Sequence, residues 1–237
     1  MKIAGSVALV TGANRGLGAH FAAQLLERGA AKVYAAARNP DAVTVAGVEV
    51  LALDLLDQAS IDAAVRAAPD VTLLVNNAGV SAGQNLVRGD QAEVRREMET
   101  NFFGTLAVTR AFADVLAAHR GGAIVNVLSA LSFFSFLGAT SYSASKAAEW
   151  SLTDGTRVEL AEQGTQVLGL YLGGADTDMM AGYDGPLLDP AEVVRAALDG
   201  LEAGQVEVLV DDWSRMTKAG VAQDPAAFYA QAAALFA

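Results

Sequence analysis

The feature of the sequence that most constrains its fold is a regular alternation of short apolar segments with longer segments of helical periodicity. The apolar segments are rich in β-branched residues and predict strands, whereas a period near 3.6 predicts helices. The predicted strands are residues 7–10, 32–37, 48–53, 71–76, 123–128, 166–172 and 205–210. The predicted helices are residues 17–28, 58–67, 91–100, 102–119, 143–163 and 191–203.

The apolar character of the strands predicts how they pair. Strands without an exposed polar face are typical of a parallel sheet covered by helices on both sides. We therefore predict an α/β fold, a doubly wound parallel seven-stranded sheet with helices on both faces. The 237 residues show no shift in composition, which predicts a single domain over residues 1–237. In such a sheet, ligands bind outside the carboxyl ends of the strands, so polar residues that follow strands are candidates for a site.

Composition and charge argue against several classes of function. A formal net charge of −11 at pH 7 repels nucleic acid and anionic membrane surfaces, so neither is a predicted partner. The sequence has no cysteine, which excludes disulfides and thiolate chemistry. His20 and His119 are not spaced as metal ligands, and no metal site is predicted. Because neither a membrane span nor a signal-peptide pattern is recognised, we expect a cytoplasmic protein.

A glycine-rich turn follows the first predicted strand. Residues 11–18, TGANRGLG, place Gly12, Gly16 and Gly18 before and within the start of a helix that includes Leu17. Glycine permits positive φ and a close approach of the backbone to a phosphate, and a helix N-terminus favours an anion. The spacing differs from the common G-x-G-x-x-G fingerprint. The turn predicts a dinucleotide site, with a purely structural turn as the alternative.

The residue after the second strand bears on the choice between NAD and NADP. NAD sites usually place an acid there to bind the ribose 2′-hydroxyl, but this sequence has Arg38. Arg38 and Arg15 are placed to bind a 2′-phosphate by charge-assisted hydrogen bonds, with Asn14 as a further neutral donor. Each arginine alone could be a solvated surface residue. The two together, with the acid absent, predict NADP(H).

Asp54 and Leu55 follow the third predicted strand and are predicted to contact the cofactor. Asp54 could accept a hydrogen bond from the adenine amine, or it could cap the following helix. The sequence leaves both interpretations open.

Tyr142 and Lys146 are predicted to lie one helical turn apart on the same face. A tyrosine with its ordinary pKa of about 10 is a poor base near neutrality, and a nearby ammonium lowers that pKa. The pair is therefore a candidate acid–base unit, although this spacing also arises by chance. Ser129 directly follows the fifth strand, where its hydroxyl could hydrogen-bond a substrate oxygen.

Two asparagine-containing segments add to this picture. The fourth strand ends at the sequence NNAG, in which Asn77, Ala78 and Gly79 leave room for a flat ring. Asn101 lies between two predicted helices, and an asparagine in a helical region is unfavourable unless it makes a specific contact. Both segments are therefore predicted to belong to the site.

Together these motifs resemble the short-chain dehydrogenase/reductase family. The resemblance rests on TGxxxGxG at residues 11–18, NNAG at 76–79, Asn101, Ser129, and YxxxK from Tyr142 to Lys146, and it covers nearly the whole chain. It implies a Rossmann fold and an NADP(H)-dependent oxidoreductase that interconverts a carbonyl and an alcohol.

The resemblance also implies a role for each site residue. Tyr142 would donate a proton to the carbonyl oxygen, and Lys146 would lower the pKa of Tyr142 and hold the nicotinamide ribose. Ser129 would orient the substrate oxygen, and Asn101 would hold a water that links Lys146 to solvent. Thr177 would contact the carboxamide or the phosphates of the cofactor.

The turn after the sixth strand departs from the pattern of many relatives, which carry Pro-Gly there. This sequence has Leu172, Gly173 and Gly174. Because proline fixes φ, we expect a more mobile turn and a wider pocket beside the nicotinamide.

Apolar side chains are predicted to line the substrate pocket. An apolar and partly aromatic lining fits an uncharged hydrophobic ketone or aldehyde, although such residues are also common in a core. The predicted substrate contacts are Ser129, Leu131, Phe136, Gly174, Met179 and Tyr183, near Phe133, Phe134 and Met180.

Several functions remain open at this stage. The first is an NADPH-dependent reductase of a hydrophobic carbonyl compound, and the same enzyme could work chiefly as an alcohol dehydrogenase. A reductase of carrier-linked ketoacyl groups is an alternative, against which the acidic charge argues. A non-catalytic NADP(H) sensor is the alternative from another class. The family resemblance also implies a homodimer or homotetramer formed by the helices at 102–119 and 143–163.

Overall fold

A computed structural model describes residues 1–233, and its centre is a parallel seven-stranded sheet. The strand order is β3-β2-β1-β4-β5-β6-β7. The strands are β1 Val7–Thr11, β2 Lys32–Ala37, β3 Glu49–Ala52, β4 Leu73–Asn76, β5 Ala123–Val127, β6 Gln166–Tyr171 and β7 Glu207–Leu209. The predicted fold class and all the predicted strands are confirmed, with small differences at their ends. The single-domain organisation stays a prediction.

The sheet is wound in two directions from β1. The chain passes from β1 to β2 and β3 on one side, and then returns to place β4 on the other side of β1. The connections that leave β1 and β4 therefore run in opposite directions along the sheet. Between them they leave a crevice at the carboxyl ends of these two strands.

Eight α-helices occur among residues 1–233. They are α1 Gly16–Glu27, α2 Gln58–Ala67, α3 Gln91–Met98, α4 Thr105–Ala118, α5 Thr140–Glu159, α6 Pro190–Glu202, α7 Asp212–Gly220 and α8 Pro225–Ala233.

The structure corrects the helix predictions in three places. A π-helical segment, Glu99–Gly104, joins α3 to α4, so the two helices are continuous through Asn101. Helix α5 begins earlier than predicted and ends before Gly164, whose φ is +78°. Helices α7 and α8 were not predicted. Their packing on the chain after β5 through Phe134, Trp213 and Phe228 depends on contacts distant in sequence.

Two apolar layers cover the sheet. Alternate strand residues point to opposite faces, so Val10 packs in the layer of α1 and α6, whereas Leu9 packs in the layer of α2 and α4. Between them these layers bury the central strands completely. No helix among residues 1–233 is both long and apolar enough to span a membrane. The same residues contain no group of three or more His, Cys, Asp or Glu placed to hold a metal ion.

Candidate functional site

The glycine turn is tied to the end of β4 by hydrogen bonds. The Thr11 hydroxyl accepts from the backbone N–H groups of Asn77 and Ala78, each at 3.0 Å. The Asn77 side-chain amide donates in return to the carbonyl oxygen of Thr11 at 2.9 Å. Asn77 and Ala78 therefore fix the crevice between β1 and β4, a structural role beside the cofactor contact predicted for them.

Glycine is required in this turn for two physical reasons. Gly12 and Gly16 have φ of +67° and +52°, in the left-handed region that side chains disfavour. A Cβ on Gly18 would overlap the carbonyl oxygen of Gly12, and a Cβ on Gly16 would lie 3.2 Å from the Thr177 side chain. The turn therefore brings α1 close to β1 and to the segment after β6.

The N-terminus of α1 differs from those of most other helices in the chain. Helices α2, α3, α6 and α7 each carry an aspartate whose side chain accepts a backbone N–H of the first turn. At α1 the N-cap position is Arg15, and no side chain caps the helix. The amides of this first turn and the positive end of the helix are therefore suited to a phosphate.

The two arginines predicted to select NADP have different surroundings. Arg38 is exposed after β2 and has no salt bridge with any other residue in the range 1–233. Arg15 donates to Asp178 at 2.9 Å, in a pair whose side chains are 68% and 69% exposed. An exposed pair contributes about 0–1 kcal/mol, so a phosphate can replace Asp178 at little cost. Asn14 and Leu17 lie partly exposed in the same turn.

Asp54 was predicted either to cap helix α2 or to accept a hydrogen bond from adenine, and the structure tests the first of these. Asp57, and not Asp54, caps α2 by accepting from Ala59 N at 2.9 Å. Asp54 instead accepts from the backbone N–H of Leu56 at 3.0 Å. The capping interpretation of Asp54 is therefore wrong, and a contact with adenine stays a prediction. The Leu55 side chain is buried in the core, so any cofactor contact would fall to its backbone.

Ser129, Tyr142 and Lys146 meet at the carboxyl end of β5. The Ser129 hydroxyl lies near enough to that of Tyr142 to lower the pKa of Tyr142. The ammonium of Lys146 lies 5.8 Å from the centre of the Tyr142 ring. Ser129 also caps the short helical turn that follows it by accepting from Leu131 N at 3.1 Å. A strand end and a helix start thus bring together two hydroxyls and a cation that are separated in sequence.

Lys146 is bound by a residue that sequence reasoning missed. Its Nζ donates to the carbonyl oxygen of Val127 at 2.9 Å and to Glu149 Oε2 at 2.6 Å. The side chains of Lys146 and Glu149 are only 5% and 1% exposed. The signal in the sequence was an acid one helical turn from the lysine.

Asn101 lies in the π-helical segment and is fully buried. Its amide nitrogen donates to Val80 O and to Ser145 Oγ, each at 2.9 Å, and its Oδ1 accepts from Val80 N at 2.8 Å. π-helical turns often occur at functional sites. A Cβ on Gly79 would lie 3.3 Å from Asn101 Oδ1 and 3.7 Å from Lys146 Nζ, so the absence of a side chain at Gly79 leaves the space where these two residues converge.

The electrostatics of the site combine opposing effects on Tyr142. Burial raises the pKa of Tyr142 above its ordinary value, Lys146 lowers it as expected from the sequence, and Glu149 and Glu97 raise it further. The net direction is upward because burial and the two acids, which the sequence reasoning did not include, outweigh the effect of Lys146. Burial acts to lower the pKa of Lys146, but Glu149 and Tyr142 together raise it. Glu97, also missed, is a buried carboxylate that accepts from Ala82 N at 2.5 Å.

The residues predicted to bind substrate divide into exposed and buried groups. Phe136, Met179 and Tyr183 are partly exposed after β5 and β6. Leu131 packs instead against the buried cluster of Phe134 and its aromatic neighbours.

The turn after β6 is filled by neighbouring side chains and held by a hydrogen bond. A Cβ on Gly174 would lie 2.7 Å from Leu187 Cδ2 and 3.0 Å from Met180 Cε, so these side chains fill the expected extra space. Gly173 donates its N–H to Asp211 Oδ2 at 2.7 Å, a bond that a proline could not form. The expectation of a wider pocket is therefore wrong at Gly174. The expected mobility is opposed by the anchor at Asp211, which also caps α7 through Ser214.

Comparison with known proteins places the chain among characterised relatives. The model of the family described as "short chain dehydrogenase" matches residues 6–185. A crystal structure of a short chain dehydrogenase from Burkholderia cenocepacia J2315 in complex with NADP is 40% identical, with a TM-score of 0.93 and 98% of each chain covered. A 3-ketoacyl-(acyl-carrier-protein) reductase from Brucella melitensis complexed with NADH is 27% identical, with a TM-score of 0.79 over 87% of this chain and 98% of that one.

Curated sequences give the same picture. A 3-oxoacyl-[acyl-carrier-protein] reductase from Vibrio harveyi is 30% identical over 84% of this chain and 90% of its own length. Similarity therefore extends over most of both chains, and similar proteins include one in complex with NADP and one complexed with NADH.

Proposed function

This chain belongs to the short chain dehydrogenase family, and we propose that it reduces a hydrophobic ketone or aldehyde reversibly to the alcohol with NADPH. Membership confirms the predicted Rossmann fold and enzyme class, an oxidoreductase with a nicotinamide cofactor. The observation that carries the proposal is the meeting of Ser129, Tyr142 and Lys146 at the carboxyl end of β5.

Each catalytic side chain has a chemical task consistent with its position. The bound nicotinamide supplies the hydride. Ser129 orients the carbonyl oxygen and Tyr142 delivers a proton to it, a division of roles that the proximity of the two hydroxyls supports. The ammonium of Lys146 stabilises the phenolate that remains on Tyr142. Asn101 holds the backbone at Val80 and thereby shapes the space beside Gly79 and Lys146.

The choice of NADP(H) rests on the charges around the glycine turn. The uncapped N-terminus of α1 suits the pyrophosphate, and Arg38 and Arg15 suit the 2′-phosphate. The residue directly after β2 is Arg38, not an acid that would bind a free 2′-hydroxyl. The similar protein in complex with NADP supports the same choice. Thr177, beside Gly16, is proposed to contact the cofactor from the other side of the crevice.

The substrate class rests on the apolar side chains near Ser129 and Tyr142. Phe136, Met179 and Tyr183 offer partly exposed apolar surface, which fits a hydrophobic carbonyl compound. A second candidate is a ketoacyl group on a carrier protein, which the similar 3-oxoacyl-carrier reductases favour and the net charge of −11 opposes. Parallel assays with free ketones and a carrier-linked substrate separate the two.

The homodimer or homotetramer and the cytoplasmic location expected from the sequence are part of the same proposal. Phe103 and Val158 are exposed apolar residues beside α4 and on α5, the helices expected to pair in a homodimer or homotetramer. Light scattering at several concentrations tests the oligomer, and a monomer throughout would contradict it. Fractionation of cells tests the expected cytoplasmic location.

The first experiment measures absorbance at 340 nm with NADPH or NADH and a panel of ketones, ketoesters and aldehydes. Tyr142→Phe should lower kcat by roughly 10²–10⁴-fold while NADPH still binds, because only the proton donor is lost. Tyr34→Phe is the matched control, since the Tyr34 hydroxyl bonds Lys32 and Asp70 away from the site. Undiminished turnover in Tyr142→Phe would contradict the mechanism. NADPH binding without turnover on any substrate would favour the sensor.

A further inference from the structure

Glu149 is a buried carboxylate that directly contacts the proposed catalytic lysine. Its Oε2 lies 2.6 Å from Lys146 Nζ, and both side chains are almost completely buried on α5. The family resemblance gives no role to this position. The direct contact points to an effect of the carboxylate on Lys146.

The contact fixes the position of the ammonium. Lysine has three N–H donors, and in this structure one is directed to Val127 O and one to Glu149. These two bonds hold the charge at the end of β5, beside the Tyr142 ring. Burying an ammonium is unfavourable unless its N–H groups are hydrogen-bonded, and these two bonds supply oxygen acceptors for it.

The same carboxylate acts on the charge balance at Tyr142. Helix α5 supplies Lys146 and Glu149, α3 supplies Glu97, and the end of β5 supplies the Ser129 hydroxyl. Burial raises the pKa of Tyr142, Lys146 opposes this, and Glu149 and Glu97 reinforce it. The paired acid therefore opposes the attraction of the ammonium for a phenolate.

We propose that Glu149 is a positioning residue that fixes the ammonium of Lys146 and offsets its charge at Tyr142. This inference rests on the proposed function, in which Tyr142 donates the proton during reduction. Reduction needs the phenol, so it declines as pH rises through the pKa of Tyr142. Oxidation needs the phenolate, so it increases as pH rises through the same pKa. Glu149 therefore favours the reductive direction at neutral pH and moves alcohol oxidation to alkaline pH.

The direct test is Glu149→Gln, which keeps the shape and an oxygen acceptor for Lys146 but removes the charge. The alkaline rise of kcat/KM for alcohol oxidation should move to lower pH by roughly 1 unit, because the ammonium then acts on Tyr142 unopposed. Glu159→Gln is the matched control, since it removes the same charge from an exposed position on α5 where solvent screens it. Glu149→Asp should restore much of the wild-type profile. An unmoved profile, or one moved to higher pH, would overturn the proposal.

A second measurement needs no turnover. Ultraviolet titration of the cofactor-free protein, with the Tyr142→Phe spectrum subtracted in the same background, isolates the ionisation of Tyr142 in the wild type, in Glu149→Gln and in Glu149→Asp. The midpoint of the wild type should lie above 10.0, the ordinary value of tyrosine; it should fall in Glu149→Gln and stay close to the wild type in Glu149→Asp, and an equal midpoint in all three would overturn the proposal. If no substrate is ever turned over, the proposed function fails, and this titration still tests the role of Glu149.

Discussion

Two regions of the same crevice use charge in opposite ways. In the nucleotide region, defined as residues 11–18 with Arg38, the charged groups are exposed; Arg15 and its partner Asp178 are about two-thirds exposed. In the catalytic region, defined as Asn101, Ser129, Tyr142, Lys146 and Glu149, the ion pair of Lys146 and Glu149 is nearly inaccessible. Exposed charges are screened and act almost independently. Buried charges depend strongly on their partners, so the second region can move pKa values and the first mainly selects a ligand.

The largest expected effect comes from breaking the buried pair. Lys146→Met leaves the Glu149 carboxylate without its cation and should lower the free energy of unfolding by about 3–5 kcal/mol. Denaturant titration without cofactor measures this. Lys146→Met combined with Glu149→Leu should recover most of the loss, because an apolar pair needs no counter-charge. Arg15→Met, in the exposed pair, should cost less than about 1 kcal/mol. Equal losses in the two single variants would contradict the distinction between the regions.

The glycine turn should be the most sensitive part of the nucleotide region, since it acts through backbone geometry. Gly18→Ala places a Cβ against the carbonyl oxygen of Gly12, and overpacking of this kind costs about 1–3 kcal/mol. We expect a lower Tm and at least roughly tenfold weaker NADPH binding, measured by fluorescence titration. Gly155→Ala, in an open position on α5, should instead raise stability by about 0.5–1 kcal/mol. A Gly18→Ala protein that binds NADPH normally would refute the close-approach argument.

Charge reversal at Arg38 should have a smaller and more selective effect. Arg38→Asp should weaken NADPH binding by roughly tenfold, about 1.4 kcal/mol, and NADH binding much less. Because Arg38 has no salt bridge with another described residue, the Tm should hardly change. The NADPH affinity of the wild type should also decrease with salt. Equal losses for both cofactors would remove the argument for a 2′-phosphate site.

The smallest expected effect tests the anchor between the two regions. Asp211 uses one oxygen to cap α7 and the other to hold Gly173. Asp211→Ser should keep the cap, since serine is a good N-cap residue, but should lose the bond to Gly173. We expect a few-fold weaker NADPH binding with a Tm near that of the wild type. Asp189→Ser changes a cap on α6 without a contact to this turn and should leave binding unchanged. If Asp211→Ser and Asp189→Ser bind NADPH equally well, the bond from Gly173 to Asp211 does not affect the cofactor site, and Asp211 acts only as a helix cap.

The fold was predictable where local patterns carry the information. Each strand is an apolar run, and helix α2 agrees with the prediction at both ends. Helix α7 was missed although Asp211 and Ser214 form a capping box, because the packing of its Trp213 depends on Phe134 and Phe228, which are distant in sequence. The interpretation of Asp54 as a helix cap was wrong because the sequence offers two aspartates near the start of α2. Asp57 lies closer to the helix start and competes for the same role.

The sequence by itself determined the parallel sheet and the glycine turn, because periodicity and a short motif encode them within neighbouring residues; Tyr142 became the proposed proton donor through a set of motifs spread along the chain. Only the tertiary structure decided which charged groups surround Tyr142, the anchoring of Gly173 by Asp211 and the filling of space at Gly174 by Leu187 and Met180. These depend on burial and on contacts between distant segments. A carboxylate such as Glu149 has a small effect in water and a large one beside a buried cation, and burial is a property of the folded chain.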